Sequence, residues 1–330
     1  MTTKNRVLDY LNQHKESAVS GQEIADHLAV SRTSVWKAIK SLQSEGFQIE
    51  ATTNKGYLLT NEPDILSKTV LHSLLKEEPD FIEVYPQIGS TNDEAKNIIN
   101  ERSINKGILL AEEQTKGRGR LGRQFYSPHQ TGLYMSLIYK NKDQLNAASI
   151  TTVAAVAVCQ AIEKLTGKQP VIKWVNDIFL DGRKICGILT EGILNFETGT
   201  IDSIIIGIGL NFKVSDSVPE EFRSIIGALF QEQEVTLTRN HLAAEIINQL
   251  DDIYQHLDSI QYLDEYRKRC FVLGQAVSFT DKQQVMSGTA RAIDDEGGLV
   301  VELNDGQMKT LRYGEISIRL VGGNENDFIG

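Results

Sequence analysis

Apolar positions recur along the first 60 residues at helical spacing. Val7, Leu8 and Leu11 form one stripe, Ile24 and Leu28 fall four apart in GQEIADHL, and Val35, Ile39 and Leu42 mark a third in RTSVWKAIKSLQSEG. Residues three and four apart share one face of a helix, so the pattern predicts three short helices. Ser31 stands at the N-cap position of the third helix, and Gly46 stands just past its end. FQIEATTNKGYLLT then reads as two short strands about a turn at Asn54–Gly56. Three helices followed by a β-hairpin is the order of a winged helix-turn-helix, whose third helix enters the DNA major groove while the hairpin forms the wing. In that arrangement Ser31, Arg32, Thr33, Ser34, Lys37 and Lys40 face DNA.

The pattern changes beyond NEPD (61–64), which reads as a linker. The apolar runs IEVYPQ, GILLAEEQ, LYMSLIY, VIKWVNDIFL, KICGILTEGI and DSIIIGIGLNF read as strands. TNDEAKNIINERS, NAASITTVAAVAVCQAIEKLTG and NHLAAEIINQLDDIYQHL read as helices. The strands arrive in hairpin-like succession, which predicts an α+β domain on a mixed sheet rather than a doubly wound fold. From 273 onward the chain is mostly strand (QAVSFT, GTARAID, GLVVELN, QMKTLRY, ISIRL), with turns at DDEGG and NDG. A small SH3-like β-barrel is expected there. The predicted organisation is a winged helix-turn-helix over 1–63, a mixed-sheet domain over 64–272 and the barrel over 273–330.

Composition adds bounds to this picture. The 330 residues are 41% hydrophobic and 24% charged, as in an ordinary globular chain with ample core. Cys159, Cys186 and Cys270 show neither paired nor metal-like spacing, as suits a reducing cytosol. MTTKNRVLDYLNQHKES lacks the apolar core of a signal peptide, and the runs TVAAVAVCQAI and SIIIGIGLNF fall short of the roughly 20 residues of a membrane span. A cytoplasmic protein with no membrane partner is expected. The net charge is -10, yet the first 60 residues carry seven bases against six acids, leaving -11 on the other 270. An acidic surface is repelled by DNA, so nucleic-acid contact belongs to the first module. Two modules in a dimer would add their phosphate contacts.

One stretch is charged the other way. TKGRGRLGRQFYSP (115–128) sets three glycines and three arginines between Gly117 and Arg123. Its G-x-G-x-x-G spacing lacks the context of a dinucleotide site, because arginines lie between the glycines and poor helix formers follow. No G-K-[ST] makes it a P-loop. It offers backbone amides that can approach an anion, and arginine forks suited to carboxylate or phosphate. A solvated surface loop would share that composition. GSTNDEA (89–95) places Ser90, Thr91 and Asn92 at a strand-to-helix junction, as caps or as ligand hydrogen-bonders. KWVNDIFLDGRKICGIL (173–189) reads as a strand, an Asp181-Gly182 turn and a returning strand, carrying Lys173, Trp174, Asn176, Asp177 and Lys184. GIGLNF (207–212) puts two glycines in a strand, which weakens it unless a ligand comes close.

Taken together and in this order, S-T-N at 90–92, Gln114 ahead of G-R-G-R-L-G-R at 117–123, K-W-V-N-D at 173–177, G-R-K-I-C-G-I-L at 182–189 and G-I-G-L-N at 207–211 resemble the biotin–protein ligases. With the winged module the chain resembles the bifunctional form, which is also the biotin operon repressor. Val175 departs from the family's usual K-W-P-N-D. The resemblance spans essentially the whole chain and implies two steps. Biotin and ATP give biotinyl-5'-adenylate and pyrophosphate. A lysine of the biotin carboxyl carrier protein, belonging to acetyl-CoA carboxylase and related carboxylases, then takes the biotinyl group.

The resemblance implies biotin contacts at Ser90, Thr91, Asn92, Gln114, Arg118, Gly119, Arg120 and Lys184. It implies adenylate contacts at Arg120, Arg123 and Asn211, and catalytic duties for Lys184, Arg118 and Arg120. Asp177 would help place Mg²⁺, and Phe222 would close over adenine, while Trp174 and Cys186 belong to packing. Neither step needs a protein nucleophile, so aligned anions and neutralised charge suffice. The adenylate is further implied as a corepressor that favours a homodimer and so presents two winged modules to two-fold operator DNA. The competing readings are a lipoate-type acyl ligase and a non-catalytic ligand-sensing winged-helix repressor. The winged module and the S-T-N/G-R-G-R-x-G-R pair speak against the first, and retention of Lys184 and the loop arginines against the second.

Overall fold

A computed structural model describes residues 2–14, 17–44, 46–52, 55–61, 64–141, 147–195, 197, 199–214, 226–235, 237–257, 261–281, 284–312, 314, 316–319 and 328–329. The apolar stripes of the N-terminal segment become α1 (Thr3–Gln13), α2 (Gly21–Leu28) and α3 (Arg32–Ser44). Ser20 and Glu23 form a reciprocal capping box on α2. Ser31 Oγ accepts the Ser34 amide at 3.1 Å and so caps α3. The hairpin follows as β1 (Gln48–Thr52) and β2 (Gly56–Asn61), paired antiparallel. Val7, Leu8, Leu11, Ile24, Val35, Ile39 and Leu42 share one buried core, each such side chain contributing about 1.5–3 kcal/mol relative to exposure. Helix α4 (Lys68–Leu74) adds Val70 to that core. The N-terminal module is therefore packed onto the chain that follows it.

The central segment holds β3 (Phe81–Tyr85), α5 (Thr91–Glu101), β4 (Lys106–Ala111), β5 (Gly132–Lys140), α6 (Ala147–Thr166), β6 (Val171–Lys173), β7 (Asp177–Leu180), β8 (Arg183–Asn195), β9 (Thr200–Asn211), α7 (Arg239–Gln255) and α8 (Gln261–Arg269). Seven strands form one mixed sheet in the order β3-β4-β5-β9-β8-β7-β6. Only β3 and β4 run parallel, joined through α5, and every other pair is antiparallel. Alternate residues reach opposite faces. Ile108 and Leu110 pack in the core that contains α6 and α7, whereas Leu109 packs with Ala95 and Ile98 of α5. A sheet covered on both faces explains why its strands read as unbroken apolar runs.

VIKWVNDIFL is two strands rather than the expected one, because the chain turns at Trp174–Asn176 and β6 and β7 pair with each other. The Trp174–Val175 peptide is cis. Asp181 (φ 50°) and Gly182 (φ 75°) form the predicted two-residue turn, Leu180 facing Arg183 across it. Two positive-φ residues in succession match the twist of the flanking strands. Helices α4 and α8 were absent from the sequence expectations.

The C-terminal strands are β10 (Ala276–Asp281), β11 (Gln284–Ile293), β12 (Leu299–Leu303), β13 (Met308–Leu311), β14 (Ile316–Arg319) and β15 (Phe328–Ile329). They form an antiparallel sheet in the order β13-β12-β11-β10-β14-β15. The expected SH3-like barrel is not closed: among the described residues no ladder joins β13 to β15. The apolar face of this sheet, with Val277, Ala290, Leu299 and Val301, continues the central core without a break.

Candidate functional site

Ser90, Thr91 and Asn92 open α5, all three buried. Ser90 Oγ accepts the Asp93 amide at 3.4 Å, so the serine is an N-cap. Gln114 Oε1 accepts both the amide and the hydroxyl of Thr91, at 2.9 and 3.1 Å. Ser136 Oγ of β5 lies 2.7 Å from Thr91 Oγ1 and 2.5 Å from Asn92 Oδ1. Asn92 Nδ2 donates to Glu191 Oε2 of β8 at 2.8 Å. Gly207 makes room for this carboxamide, since a Cβ there would stand 2.3 Å from Asn92 Oδ1. The result is a hydrogen-bonded polar floor set into an apolar sheet.

The glycine-arginine stretch folds back on itself beside that floor. Phe125 N donates to Gly117 O at 2.9 Å and Gly119 N to Arg123 O at 2.7 Å. Arg118 pairs with Asp93 and lies 3.8 Å from Glu191 Oε2. Arg120 Nη1 donates to Asn176 Oδ1 (3.1 Å) and to the O of Gly314, between β13 and β14 of the C-terminal segment (3.0 Å). The loop is thus pinned at one arginine to α5 and at the other to the C-terminal segment. Ser90, Thr91, Asn92, Gln114, Arg118, Gly119, Arg120, Arg123, Asp177 and Lys184 all line one cavity of about 400 Å³.

A second cavity of about 640 Å³ adjoins it, and the two share Gln124, Phe125 and Lys184. Asn211 lines this second space, and its Nδ2 donates to Gly227 O at 3.0 Å. Residues 226–230 are stitched to β8 and β9, through Gly227 N to Lys184 O (2.8 Å) and Leu229 N to Asn211 O (2.9 Å). Phe222 lies outside the described residues. Lys184 Nζ sits 2.7 Å from Asp177 Oδ1, which also accepts from Asn176 Nδ2 at 3.1 Å. The Phe125 ring fills the space over Gly209, where a Cβ would meet it at 2.5 Å. These volumes suit small-molecule ligands, and two adjoining chambers with a shared cation suit an elongated anion lying across both.

Burial would by itself push the Glu191 carboxyl up, but hydrogen bonds from Lys96 and Asn92, with the charges of Lys96 and Arg118, hold it below the usual carboxylate range. Glu191 therefore remains an anion under the arginine loop. The three cysteines are buried and free. Burial pushes the Cys159 and Cys270 thiols up to about 12 and the Cys186 thiol well above its ordinary range, so none is poised as a nucleophile. Among the described residues no group of three or more His, Cys, Asp or Glu could hold a metal ion. Trp174 is core, as expected, its Nε1 donating to Gly297 O at 3.0 Å, though its edge also reaches the smaller cavity.

In the N-terminal module Arg32, Thr33, Lys37 and Lys40 are exposed on α3. Ser31 and Ser34 are joined to each other, their Oγ atoms 2.8 Å apart. Trp36, half exposed on the same face, lines a groove with Arg32, Thr33, Gln22 and Thr52 between α3, α2 and the hairpin. Sequence reading passed over Trp36, Ser136, Glu191 and Phe125. A lone serine in LYMSLIY and a lone glutamate in GILTEGIL were signals that two strands carried polar business inward. Gly314, Ile316 and Ser317 of the C-terminal segment also line the smaller cavity, and no local pattern announced them.

A mixed-sheet domain with an anion-adapted double cavity, flanked by a helix-turn-helix and a C-terminal β-sheet, defines an acyl-ligase class of architecture. Residues 84–211 match the Biotin/lipoate A/B protein ligase family, residues 3–58 an HTH domain and residues 272–319 the Biotin protein ligase C terminal domain. Bifunctional ligase/repressor BirA of Bacillus spizizenii is 34% identical over 321 residues, covering 93% of this chain and 96% of the relative. The protein of the same name from Escherichia coli K12 is 31% identical, covering 91% and 92%. The structure of biotin protein ligase from Aquifex aeolicus in complex with biotin and ATP shares the fold, with a TM-score of 0.63 at 24% identity over 73% of this chain and 99% of that one. The chain belongs to the bifunctional biotin ligase/repressor family.

Proposed function

We propose that the protein activates biotin with ATP, transfers it to a lysine of a biotin carboxyl carrier protein, and represses the biotin operon when the adenylate is bound. The observation that carries this reading is the sharing of Lys184 by two adjoining cavities, one floored by Thr91, Asn92 and Gln114 and the other lined by Asn211. The ureido head of biotin would meet the first set of hydrogen-bonding groups, with Ser90 capping the helix beneath, and adenine would meet Asn211. The biotin carboxylate and the α-phosphate would then fall between, where Lys184 stands.

In the first step a biotin carboxylate oxygen attacks the α-phosphorus and the bond to the β-phosphate breaks, releasing pyrophosphate. Lys184 would neutralise charge on the reacting groups, held in place by Asp177 at 2.7 Å. Arg118, Arg120 and Arg123 would supply further charge, and the loop that carries them would exclude water from the anhydride. In the second step the carrier lysine amine attacks the acyl carbon, the anhydride C–O bond breaks, and AMP leaves as the amine gives up a proton. No side chain becomes a covalent intermediate, and the buried, protonated thiol of Cys186 fits that. Mg²⁺ would accompany the ATP phosphates. Asp177, lining the cavity, would be its protein carboxylate, in keeping with the habit of Mg²⁺ to combine one or two carboxylates with substrate phosphates.

The adenylate would favour a homodimer and place two copies of α3 against a two-fold operator, Arg32, Thr33, Lys37 and Lys40 facing the DNA and Ser31 and Ser34 shaping the helix start. Spending the adenylate on carrier protein would lift repression. The protein would act in the cytoplasm; no described helix is long and apolar enough to cross a membrane. Incubation with ATP, Mg²⁺ and radiolabelled biotin tests the reading. Label should appear in adenylate and, once a carrier fragment is added, on the carrier lysine; absence of both would refute it.

A further inference from the structure

Arg239, the first residue of α7, is fully buried and takes no part in either cavity. Its Nη1 lies 2.7 Å from Glu112 Oε2 and donates to Gly132 O at 3.2 Å. Its Nε donates to the Asp64 carboxylate (3.1 Å to Oδ2), Nη2 to Asp64 O (2.7 Å), and the Arg239 amide to Asp64 Oδ1 (2.8 Å). Neighbouring groups hold the same segment. Leu66 N donates to Glu112 Oε1 at 2.8 Å, and Asn240 bonds both Ser67 N (2.9 Å) and Ile65 O (2.8 Å). A buried ion cluster of this kind adds little net stability, yet its geometry is exacting and it fixes positions.

The cluster has two ends. Glu112 lies two residues before Gln114, whose side chain holds Thr91 in the polar floor, and Glu112 O accepts the amide of Gln130, where the arginine loop returns. Asp64 lies four residues before α4, and the intervening Ile65–Ser67 are held by Glu112 and Asn240; Val70 of α4 belongs to the core of the N-terminal module. A continuous path of packed and hydrogen-bonded groups therefore runs from the cavity floor to the helix-turn-helix. We propose that Asp64, Arg239 and Glu112 are positioning residues that couple the state of the cavity to the placement of the N-terminal module. This rests on the ligand-responsive repressor reading above and adds the route by which the ligand is felt.

The test uses the full chain carrying Asp64→Asn and, separately, Asp64→Ala. The asparagine keeps the shape of the site and guards against a folding defect. Affinity for a biotin-operator duplex is measured with and without biotin plus ATP, beside the rate of biotin-dependent pyrophosphate exchange. Wild type should gain about 5- to 150-fold in DNA affinity on adding both substrates, the ordinary range of coupling between sites. Both variants should keep their exchange rate yet lose most of that gain, whereas a purely structural change would lower both affinities together. Retention of the full gain by both variants overturns the relay and leaves the repressor reading intact. A wild type indifferent to ligand overturns the repressor reading, and the relay with it.

Discussion

Asn92 Nδ2 and Glu191 Oε2 meet at 2.8 Å, tying the first turn of α5 to strand β8 beneath the arginine loop. The same carboxylate accepts from Lys96 Nζ at 2.7 Å and lies 3.8 Å from Arg118. A charged group that an apolar strand would otherwise exclude thus becomes the anchor of the polar floor.

Glu191→Gln should lower stability at neutral pH by about 1.5–3 kcal/mol, the range for hydrogen bonds to a charged group. The folded carboxyl titrates below its ordinary value of 4.5, so its contribution is complete above that pH and is lost as pH falls through the lower folded value. The stability gap between wild type and variant should therefore be widest near neutrality and close in acid. Denaturant melts across that range would show it, and a gap independent of pH would speak against the assignment.

Gly207→Ala should act on biotin rather than on ATP. The added Cβ would stand 2.3 Å from Asn92 Oδ1, forcing the carboxamide aside without touching the larger cavity. Misplacing a positioning group by an ångström can cost about 10²-fold, and the cost should appear in the biotin KM while the ATP KM is kept. Adenylate-synthesis kinetics with each substrate varied would separate the two.

Lys37→Ala should weaken operator and random DNA alike. Removing one phosphate contact lowers the slope of log affinity against log salt by about 0.9, hence by about twice that for a dimer with two modules. Titrations at several salt concentrations measure the slope, and an unchanged slope would take Lys37 off the phosphate backbone.

The helix-turn-helix, the mixed sheet and the Asp181-Gly182 hairpin were legible because each rests on local signals: helical stripes, apolar runs and turn residues. The Ser90-Thr91-Asn92 turn, the arginine loop and Lys184 could be picked out by residue type, and they do line one cavity. Their partners could not. Ser136 of β5 meets Asn92 of α5 from 44 residues away, Gly314 reaches Arg120 from 194 residues away, and Arg239 finds Asp64 across 175. Such contacts follow from tertiary closure, which no period in the chain encodes. Barrel closure was not legible either, since strand count does not say which strands pair at the edges, and among the described residues no ladder joins β13 to β15.

Biotin-dependent exchange of labelled pyrophosphate into ATP tests most directly whether the arginine loop and Lys184 act on one activated acid. Wild type should exchange, and Lys184→Ala and Arg118→Ala should each fall by about 10²–10³-fold, as when one preorganised transition-state contact is removed. Wild-type exchange in both variants would contradict the account.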